Sequence, residues 1–355
     1  MGRKEYMPIF AIEKYILSKY PYKIKSIDPI KFKDTDKQRA VYRFETDQGP
    51  KCLKKVYFDE ANLLFVYSVI QWFYSHGINV PKLLPTKQGG RYVNYNGSLF
   101  MATDWIEGRK CNYDDDADVG IAAANLGLMH RSSYDFHPIG GSFIRKENTD
   151  WYKTYNRRYL QLVQFYNTAS NFMDKFSRIY IENFDYFLFR AAHAVKILGM
   201  LDSKKMAQPA EEHNTICHLD YVNKNIIITD KNELYVIDFD KSRIDIPVHD
   251  IGTFLKRILK RKNTSWSYEI LSLALENYEK VRELSFNELL GLFAFLEFPH
   301  KFWKISRDYY ANRKDCSKKM FINMLSNACF QKNNHDEFCS KFQAYIENRY
   351  NVDLN

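Results

Sequence analysis

The chain has 355 residues, of which 45% are hydrophobic and 27% charged, so it is long enough to fold around more than one core. Its net charge of +9 favours anionic partners. The sequence lacks zinc-finger spacing and any repeated aromatic and basic unit, which argues against nucleic acid. The six cysteines form no C-x-x-C pair, as is typical of reduced cytosolic thiols. No secretory signal or spanning apolar run is found, so we expect synthesis in the cytoplasm and no membrane partner.

The N-terminal part predicts a small antiparallel sheet accompanied by helices. Apolar spacing indicates a short helix over 9–20 and a longer one over 59–76, which Gly77 follows as a C-cap. Alternating residues predict strands at 24–27, 41–46, 52–56, 90–95 and 98–103. The segments 47–50 and Asn96-Gly97 are typical of hairpin turns between neighbouring strands.

The remainder of the chain is predicted to be mainly helical. Asp104-Trp105-Ile106-Glu107-Gly108 marks a change in composition and is interpreted as a hinge. Helices are expected at 119–130, 151–166, 170–201, 250–260, 267–284, 286–298, 301–312 and 336–350, with short strands at 215–217, 226–229 and 234–237. These patterns predict an α+β fold with two lobes, a small antiparallel-sheet lobe over 1–104 and a larger helical lobe over 105–355.

The most informative segment runs from His218-Leu219-Asp220 to Asn225 and is followed by Asp238. A carboxylate that orients a hydroxyl group, together with amide and carboxylate oxygens that bind Mg²⁺, is what phosphoryl transfer from a nucleotide requires. Such a pattern also arises by chance in polar turns. Here short β-branched runs flank it on both sides, and this strand–loop–strand–turn–strand arrangement favours a rigid polar site of the protein-kinase type.

A cation from the N-terminal lobe must meet the phosphates, and Lys54 is the best candidate. It lies in a predicted strand whose alternation places Lys54 and Lys55 on opposite faces. Glu60, in the first turn of the next helix, is expected to pair with Lys54 and hold its ammonium against the phosphates. The alternative is an ordinary surface ion pair, which contributes about 0–1 kcal/mol.

The segment expected to cover the phosphates contains no glycine between residues 31 and 40. Glycine normally allows backbone N–H groups to approach phosphate oxygens closely. Polar and cationic side chains would have to replace it, and the candidates are Thr35, Lys37, Gln38 and Arg39. The same feature suits a protein that has lost tight ATP binding.

The chain resembles the aminoglycoside phosphotransferase and choline kinase group, and within it the spore coat protein S family of endospore-forming bacteria. The resemblance is strongest over 217–261, through the residues quoted above, and extends loosely over nearly the whole chain. It implies a two-lobed kinase-like fold with ATP and Mg²⁺ as cofactors. Leu219 stands where aminoglycoside kinases usually carry glycine.

The resemblance also implies roles for individual residues. Asp220 would be the catalytic base, and Asn225 and Asp238 would be Mg²⁺ ligands, while Asp240 would assist a second metal ion or be a solvated acid. Lys54 would bind phosphate with Glu60 as its partner. The residues that would line the adenine pocket are Thr103, Asp104 and Trp105.

Two hypotheses follow from these residues. The first is an ATP- and Mg²⁺-dependent phosphotransferase that acts on a hydroxyl group of an unknown substrate; the basic, aromatic C-terminal region argues against an aminoglycoside. The second is a catalytically weak pseudokinase that serves as a structural or assembly component of the spore coat. Its partners would be other coat proteins, and its final location would be the coat.

Overall fold

The computed structural model describes residues 7–33, 39–146, 150–311 and 317–354. The Cα positions group into two compact units. Unit 1 consists of 1–111, 128–146 and 214–244, and unit 2 consists of 112–127, 147–213 and 245–355. The segments 128–146 and 214–244 therefore group with the N-terminal sheet, although the sequence-based boundary after residue 104 assigns them to the C-terminal lobe. The α+β class, with an antiparallel sheet first and many helices after it, is confirmed.

The main sheet of unit 1 is antiparallel throughout. Its strands are β1 (Ile24–Lys33), β2 (Arg39–Thr46), β3 (Lys51–Lys55), β4 (Leu83–Leu84), β5 (Val93–Tyr95) and β6 (Ser98–Asp104). Their order is β1-β2-β3-β6-β4, with β5 paired to β6. The hairpin between β5 and β6 turns through Asn96 and Gly97, both at positive φ, as this two-residue turn requires. The strand β4 was not predicted, because two residues carry no usable periodicity.

Alternate residues along β2 point into the core of unit 1. Ala40, Tyr42, Phe44 and Thr46 are buried while the residues between them are partly exposed. This face packs against an N-terminal helical segment that begins as α1 (Ile9–Ala11) and continues in π and 3₁₀ geometry to Lys19. The predicted helix over 9–20 is thus present in an irregular form.

The helix α2 (Glu60–Ser75) ends as its sequence predicted. At its start, Asp59 Oδ1 accepts the N–H of Asn62 at 2.9 Å. At its end, Gly77 adopts φ +76°, and the N–H of Ile78 donates to the Phe73 carbonyl at 3.0 Å. This pairing satisfies a terminal carbonyl and defines a Schellman motif, so the predicted C-cap is confirmed.

Five short strands complete unit 1: β7 (Arg109–Lys110), β8 (Ile216–Cys217), β9 (Ile226–Ile228), β10 (Leu234–Val236) and β11 (Arg243–Ile244). They form a sheet of order β10-β9-β7 and a separate β8–β11 pair. The helix α3 (Asp116–Ser132) belongs partly to each unit. The predicted strand pair around the polar motif is therefore present.

The rest of the chain is helical. These helices are α4 (Trp151–Phe172), α5 (Lys175–Met200), α6 (Ser203–Glu212), α7 (Pro247–Leu259), α8 (Tyr268–Glu279), α9 (Phe286–Glu297), α10 (His300–Tyr310), α11 (Lys318–Phe330) and α12 (Lys332–Tyr350). The sequence did not predict α6, which contains Pro209, or α11. None of the helices in the described ranges combines the length and the apolarity needed to cross a membrane.

Aromatic stacking and one buried ion cluster hold unit 2 together. Phe302 stacks on Tyr180 and on Phe187, with ring centroids 4.7 and 4.1 Å apart. Glu297 is fully buried, and its Oε1 lies 2.9 Å from both Arg190 Nη1 and His193 Nδ1. A buried carboxylate is tolerated only with such partners.

Gly108 is predicted to be irreplaceable because of the strand it touches. At φ +153°, a Cβ atom there would lie 2.5 Å from the Ile228 carbonyl oxygen, which cannot move aside. We expect Gly108→Ala to lower the free energy of unfolding by about 3 kcal/mol, since overpacking adds to backbone strain. Gly77→Ala is the matched control: φ is +76° but nothing lies within 4 Å, so strain alone costs about 1 kcal/mol. Urea unfolding measures both, and equal losses would contradict this explanation.

Candidate active site

A buried histidine stabilises the loop that carries Asp220. His218 Nε2 lies 3.2 Å from the Ile237 carbonyl oxygen, and the N–H of Asp220 donates to His218 Nδ1 at 3.2 Å. These contacts fit a neutral ring with its proton on Nε2. The imidazole therefore joins the loop to the end of β10 and positions Asp220.

Leu219 and Asp238 adopt left-handed backbone conformations on either side of this brace. Their φ values are +56° and +68°. A left-handed conformation costs a leucine about 1–2 kcal/mol, whereas aspartate tolerates it better. Glycine at position 219 would avoid this strain, which is the physical reason for a glycine preference there.

Asp220 is surrounded by donors. Lys241 Nζ donates to its Oδ1 at 2.9 Å, and Lys224 Nζ lies 3.6 Å from its Oδ2. Asn225 Nδ2 donates to the same Oδ2 at 3.1 Å. Burial alone would raise the pKa of Asp220, but the hydrogen bond and charge of Lys241, aided by Lys224 and Asn225, lower it overall. The side chain is thus an ionised carboxylate at neutral pH, suited to orienting a hydroxyl group.

Lys54, near the centre of β3, meets two carboxylates from a distant part of the chain. Its Nζ donates to Asp238 Oδ1 at 2.6 Å and to Asp240 Oδ1 at 2.7 Å. The side chains of Lys54 and Asp240 are only 16% and 3% exposed, so water screens this charge cluster weakly. We call Lys54, Asp238 and Asp240 the charge triad.

The contacts within the charge triad shift the pKa values of Lys54 and Asp238. Burial would raise the pKa of Asp238, but the charge and hydrogen bond of Lys54 prevail and lower it to about 2. Burial would lower the pKa of Lys54, yet Asp240 and Asp238 raise it above its ordinary value. Lys54 and Asp238 are therefore both ionised at neutral pH.

Two arginines approach Asp240 from the other side. Arg39 Nη1 lies 3.6 Å from its Oδ2, and the Arg39 guanidinium lies 4.0 Å from the centre of the Tyr57 ring. Arg145 Nη1 donates to the Asp240 backbone carbonyl at 2.7 Å, while its Nε donates to Asn62 Oδ1 at 2.6 Å. Arg39 thus lies beside the charge triad, and Arg145 connects the charge triad to α2.

The predicted pairing of Lys54 with Glu60 is wrong for this structure. Glu60 accepts a hydrogen bond from the Tyr92 hydroxyl instead, while the Lys54 ammonium faces the two aspartates. Sequence spacing placed Glu60 near the start of α2 correctly but could not show which way its side chain turns. Carboxylates at 238 and 240, on a separate loop, lie within reach of Lys54 and take its place.

The segment predicted to line the adenine pocket connects β6 to the 105–108 turn. The N–H groups of Asp104 and Trp105 donate to the carbonyls of Lys82 and Pro50, and the Thr103 hydroxyl donates to the Asp104 carbonyl. Among the described residues, the N–H of Ile106 has no acceptor. Adenine recognition by 103–105 stays a prediction, and Thr35 lies outside the described residues.

The oxygen atoms around Asn225 and the charge triad fit a hard divalent cation. The Asn225 side chain donates its N–H groups to Asp220. Its Oδ1 atom accepts no hydrogen bond within the described ranges. Asp240 Oδ2 is buried and accepts no hydrogen bond there either. Because Ile237 N–H donates to the Asn225 carbonyl at 2.9 Å, Asn225 and Asp238 stand on adjacent chain segments. Carboxylate and amide oxygens of this kind are the ligands that Mg²⁺ prefers.

Sequence reasoning missed three site residues: Lys224, Lys241 and Arg145. The two lysines are adjacent in sequence to the motif, at Asn223-Lys224-Asn225 and Asp240-Lys241, so their position was a usable signal. Arg145 offered no such signal, since its loop is far in sequence from both halves of the site. Only its contacts with Asn62 and Asp240 identify it.

Removing the cation of the charge triad should make stability less sensitive to acid. Because the folded pKa of Asp238 lies below its unfolded value of 3.8, its stabilisation is present above pH 4 and is lost as the pH falls towards 2. We expect Lys54→Met to cost about 3 kcal/mol at pH 7, since it leaves carboxylates unpaired. The wild type should then lose about 2 kcal/mol more than the variant between pH 4 and 2.

Urea unfolding followed by circular dichroism from pH 2 to 7 measures this difference. Lys51→Met is the matched control, because Lys51 lies in the same strand and pairs with the more exposed Asp104 at 2.7 Å. Its loss should be about 1 kcal/mol or less. Parallel stability curves for wild type and Lys54→Met across the whole pH range would contradict the assigned role of the triad.

Solved structures of a phosphotransferase and a kinase share this fold. An aminoglycoside phosphotransferase from Alicyclobacillus acidocaldarius matches with a TM-score of 0.82 at 18% identity, over 98% of this chain and 98% of that one. An amicoumacin kinase in complex with AMP-PNP and Ca²⁺ matches with a TM-score of 0.58 at 18% identity, over 94% of each chain. The kinase-like fold expected from the sequence is thereby confirmed.

The sequence comparisons agree with the fold. Spore coat protein S of Bacillus subtilis (strain 168) is 23% identical over 328 residues, which are 92% of this chain and 92% of that protein. The expected resemblance to this protein is confirmed. The family model described as the phosphotransferase enzyme family matches residues 36–284, which include Lys54, Asp220, Asn225 and Asp238. The chain therefore belongs to the phosphotransferase enzyme family.

Proposed function

We propose that the chain transfers a phosphoryl group from ATP to a hydroxyl group of a small molecule, with Mg²⁺ as cofactor. The observation that carries this proposal is the charge triad, in which Lys54 reaches Asp238 across 184 positions in sequence. The bond holds the Lys54 ammonium beside Asp238, whose chain segment adjoins that of Asn225. Family membership and the nucleotide analogue in the related amicoumacin kinase support the same reaction.

Each residue has a role consistent with its surroundings. Lys54 would bind phosphate oxygens, with Arg39 adding positive charge beside it. Asp220 would accept a hydrogen bond from the acceptor hydroxyl and take its proton as the new bond forms.

The cofactors would be held by the remaining predicted residues. Asn225 and Asp238, with Asp240 beside them, would hold the metal ion, which supplies charge neutralisation to the phosphates when it is bound. The backbone of Thr103, Asp104 and Trp105 would approach the adenine. Both assignments rest on the donor chemistry described above and on the resemblance to kinases.

The acceptor is constrained by the lysines at the catalytic loop. Lys241 and Lys224 place two positive charges within 3.6 Å of the Asp220 carboxylate. A polycationic acceptor such as an aminoglycoside would be repelled by these charges. A neutral or anionic molecule with a free hydroxyl group is the better match.

A second function has two specific observations in its favour. The segment 31–40 contains no glycine, and Leu219 adopts a conformation that costs a leucine free energy. Both features suit a protein selected for something other than fast turnover. The similarity to spore coat protein S supports a structural or assembly role in the spore coat, with other coat proteins as partners.

Replacing the proposed base tests the catalytic role directly. We expect Asp220→Asn to lower the rate of ADP formation from Mg²⁺–ATP by roughly 10²–10⁴-fold, the usual scale for loss of a general base. Asp230→Asn, in the exposed turn between β9 and β10, is the control and should keep wild-type turnover. An Asp220→Asn variant with unchanged turnover would show that this carboxylate is not the base.

Nucleotide binding separates the two functions even where turnover is slow. A ligand present at 100 times its Kd stabilises the folded state by about 2.7 kcal/mol, so Mg²⁺–ATP should raise the Tm of the wild type measurably. Asp238→Ala should abolish this increase, and Glu233→Ala, in the exposed turn, should retain it. A wild type without any increase favours the structural role.

A further inference from the structure

A second cluster of cations lies in unit 2, which contains none of the charge triad. Several helices of this unit surround a small cavity of about 40 Å³ that opens to solvent. Its lining combines apolar side chains with four lysines and two histidines, namely Lys256, Lys260, Lys301, Lys332, His300 and His335. We call this cavity the lysine pocket. Neither aspartate nor glutamate is among the described residues that line it.

Three separate elements supply the lysines. Lys256 and Lys260 come from the C-terminal end of α7, Lys301 from the first turn of α10, and Lys332 from the start of α12. Neither α10 nor α12 has a side-chain cap at its N-terminus. The N-termini of α10 and α12 therefore carry partial positive charge.

The four ammonium groups have no carboxylate partners within the described part of the chain. Lys256 Nζ donates to the Phe295 backbone carbonyl at 2.5 Å and lies 4.4 Å from the centre of that ring. Lys332 Nζ donates to Asn183 Oδ1 at 3.3 Å. These neutral partners satisfy single donors and leave the positive charge of the cluster uncompensated.

Burial and repulsion between neighbouring cations lower the pKa values of two of these lysines. Burial, with repulsion from Lys301, Arg257 and Lys304, lowers the pKa of Lys260 to about 7. Burial and the neighbouring Lys260 also lower the pKa of Lys256 well below its ordinary value. A half-buried cation without a partner destabilises the folded chain, so the cluster is expensive unless an anion joins it.

The histidines do not compete for that anion. Burial lowers the pKa of His335 to about 3 and that of His300 well below its ordinary range, so both rings are neutral. His300 Nε2 lies 3.0 Å from the Tyr155 hydroxyl, and His335 Nδ1 lies 2.9 Å from the Tyr186 hydroxyl. The lysines are thus the groups at the cavity whose charged form a bound anion would favour.

We propose that the lysine pocket is an anion-binding site for a phosphate group, separate from the residues of the phosphotransfer reaction. Converging ammonium groups and helix N-termini recognise a compact dianion with several acceptor oxygens. The aromatic part of the lining, Trp266, Phe298 and Phe302, would contact any uncharged body that carries the phosphate. Free inorganic phosphate and a phosphate monoester present the same group to the lysines.

Titration calorimetry on the full chain tests the site, with inorganic phosphate and glycerol 3-phosphate as separate probes at constant ionic strength set by NaCl. We expect saturable binding to the wild type and at least tenfold weaker binding to Lys260→Gln and Lys332→Gln. Lys280→Gln, an exposed lysine of the same unit, should bind as the wild type does. The probe that binds more tightly identifies the form in which the phosphate arrives.

A variant of the other site makes the result specific to the lysine pocket. Lys54→Met removes the phosphate-binding cation of unit 1, so the phosphate binding that this variant retains belongs to the lysine pocket. The proposal is overturned if the wild type shows no saturable binding of either probe. It is equally overturned if Lys54→Met loses the binding while Lys260→Gln keeps it.

Stability supplies a readout that does not depend on detecting weak heat. Because the Lys260 ammonium lacks a partner, Lys260→Met should unfold at a higher urea concentration than the wild type when phosphate is absent. Phosphate should raise the midpoint of the wild type and leave that of the variant unchanged. A less stable variant whose midpoint still rises with phosphate would mean that Lys260 is only a packing residue.

Discussion

The candidate active site depends on one ionic contact, the bond between Lys54 and the carboxylates of Asp238 and Asp240. Two carboxylates and one ammonium group in a mostly buried position would by themselves carry a net negative charge. Arg39 and Arg145 supply the missing positive charge at Asp240. The same contact explains why the segment 214–244, late in the chain, packs as part of the N-terminal unit. A charge cluster of this kind is stable only as a whole, because any member left alone would be a buried unpaired ion.

Two residues of the candidate active site adopt strained backbone conformations. Leu219 directly precedes Asp220, and Asp238 is itself a member of the charge triad, yet both adopt positive φ. Such conformations persist only where the surrounding structure enforces them. Here the enforcing contacts are the His218 brace and the pairing of Ile237 with Asn225. The strain indicates selection for the placement of side chains at this loop.

The buried charged groups of unit 2 differ in how completely they are paired. The carboxylate of Glu297 is fully buried and is bonded to both Arg190 and His193. The lysines around the nearby cavity have only neutral partners in the described part of the unit. A fold that satisfies its buried acid so completely could satisfy its lysines as well, by placing one carboxylate among them. Uncompensated charge that survives in such a setting is more consistent with a ligand than with a defect of packing.

The sequence by itself determined the features that depend on near neighbours. Alternation along 41–46 predicted a strand, Asn96-Gly97 predicted a hairpin, and Gly77 predicted the end of α2. The order of Asp220, Asn225 and Asp238 along the chain indicated a kinase-like fold. These signals are local, because turns, caps and strand faces are set by residues a few positions apart. The helix α6 escaped prediction because it contains Pro209 and few apolar residues.

Only the tertiary structure decided which charged groups meet. It gave Lys54 two aspartates in place of Glu60, brought Lys241 to Asp220, and brought the lysines of the lysine pocket together from three helices. Ion-pair partners are selected by distance and burial across long chain separations, and neither quantity is encoded in the spacing of residues along the chain.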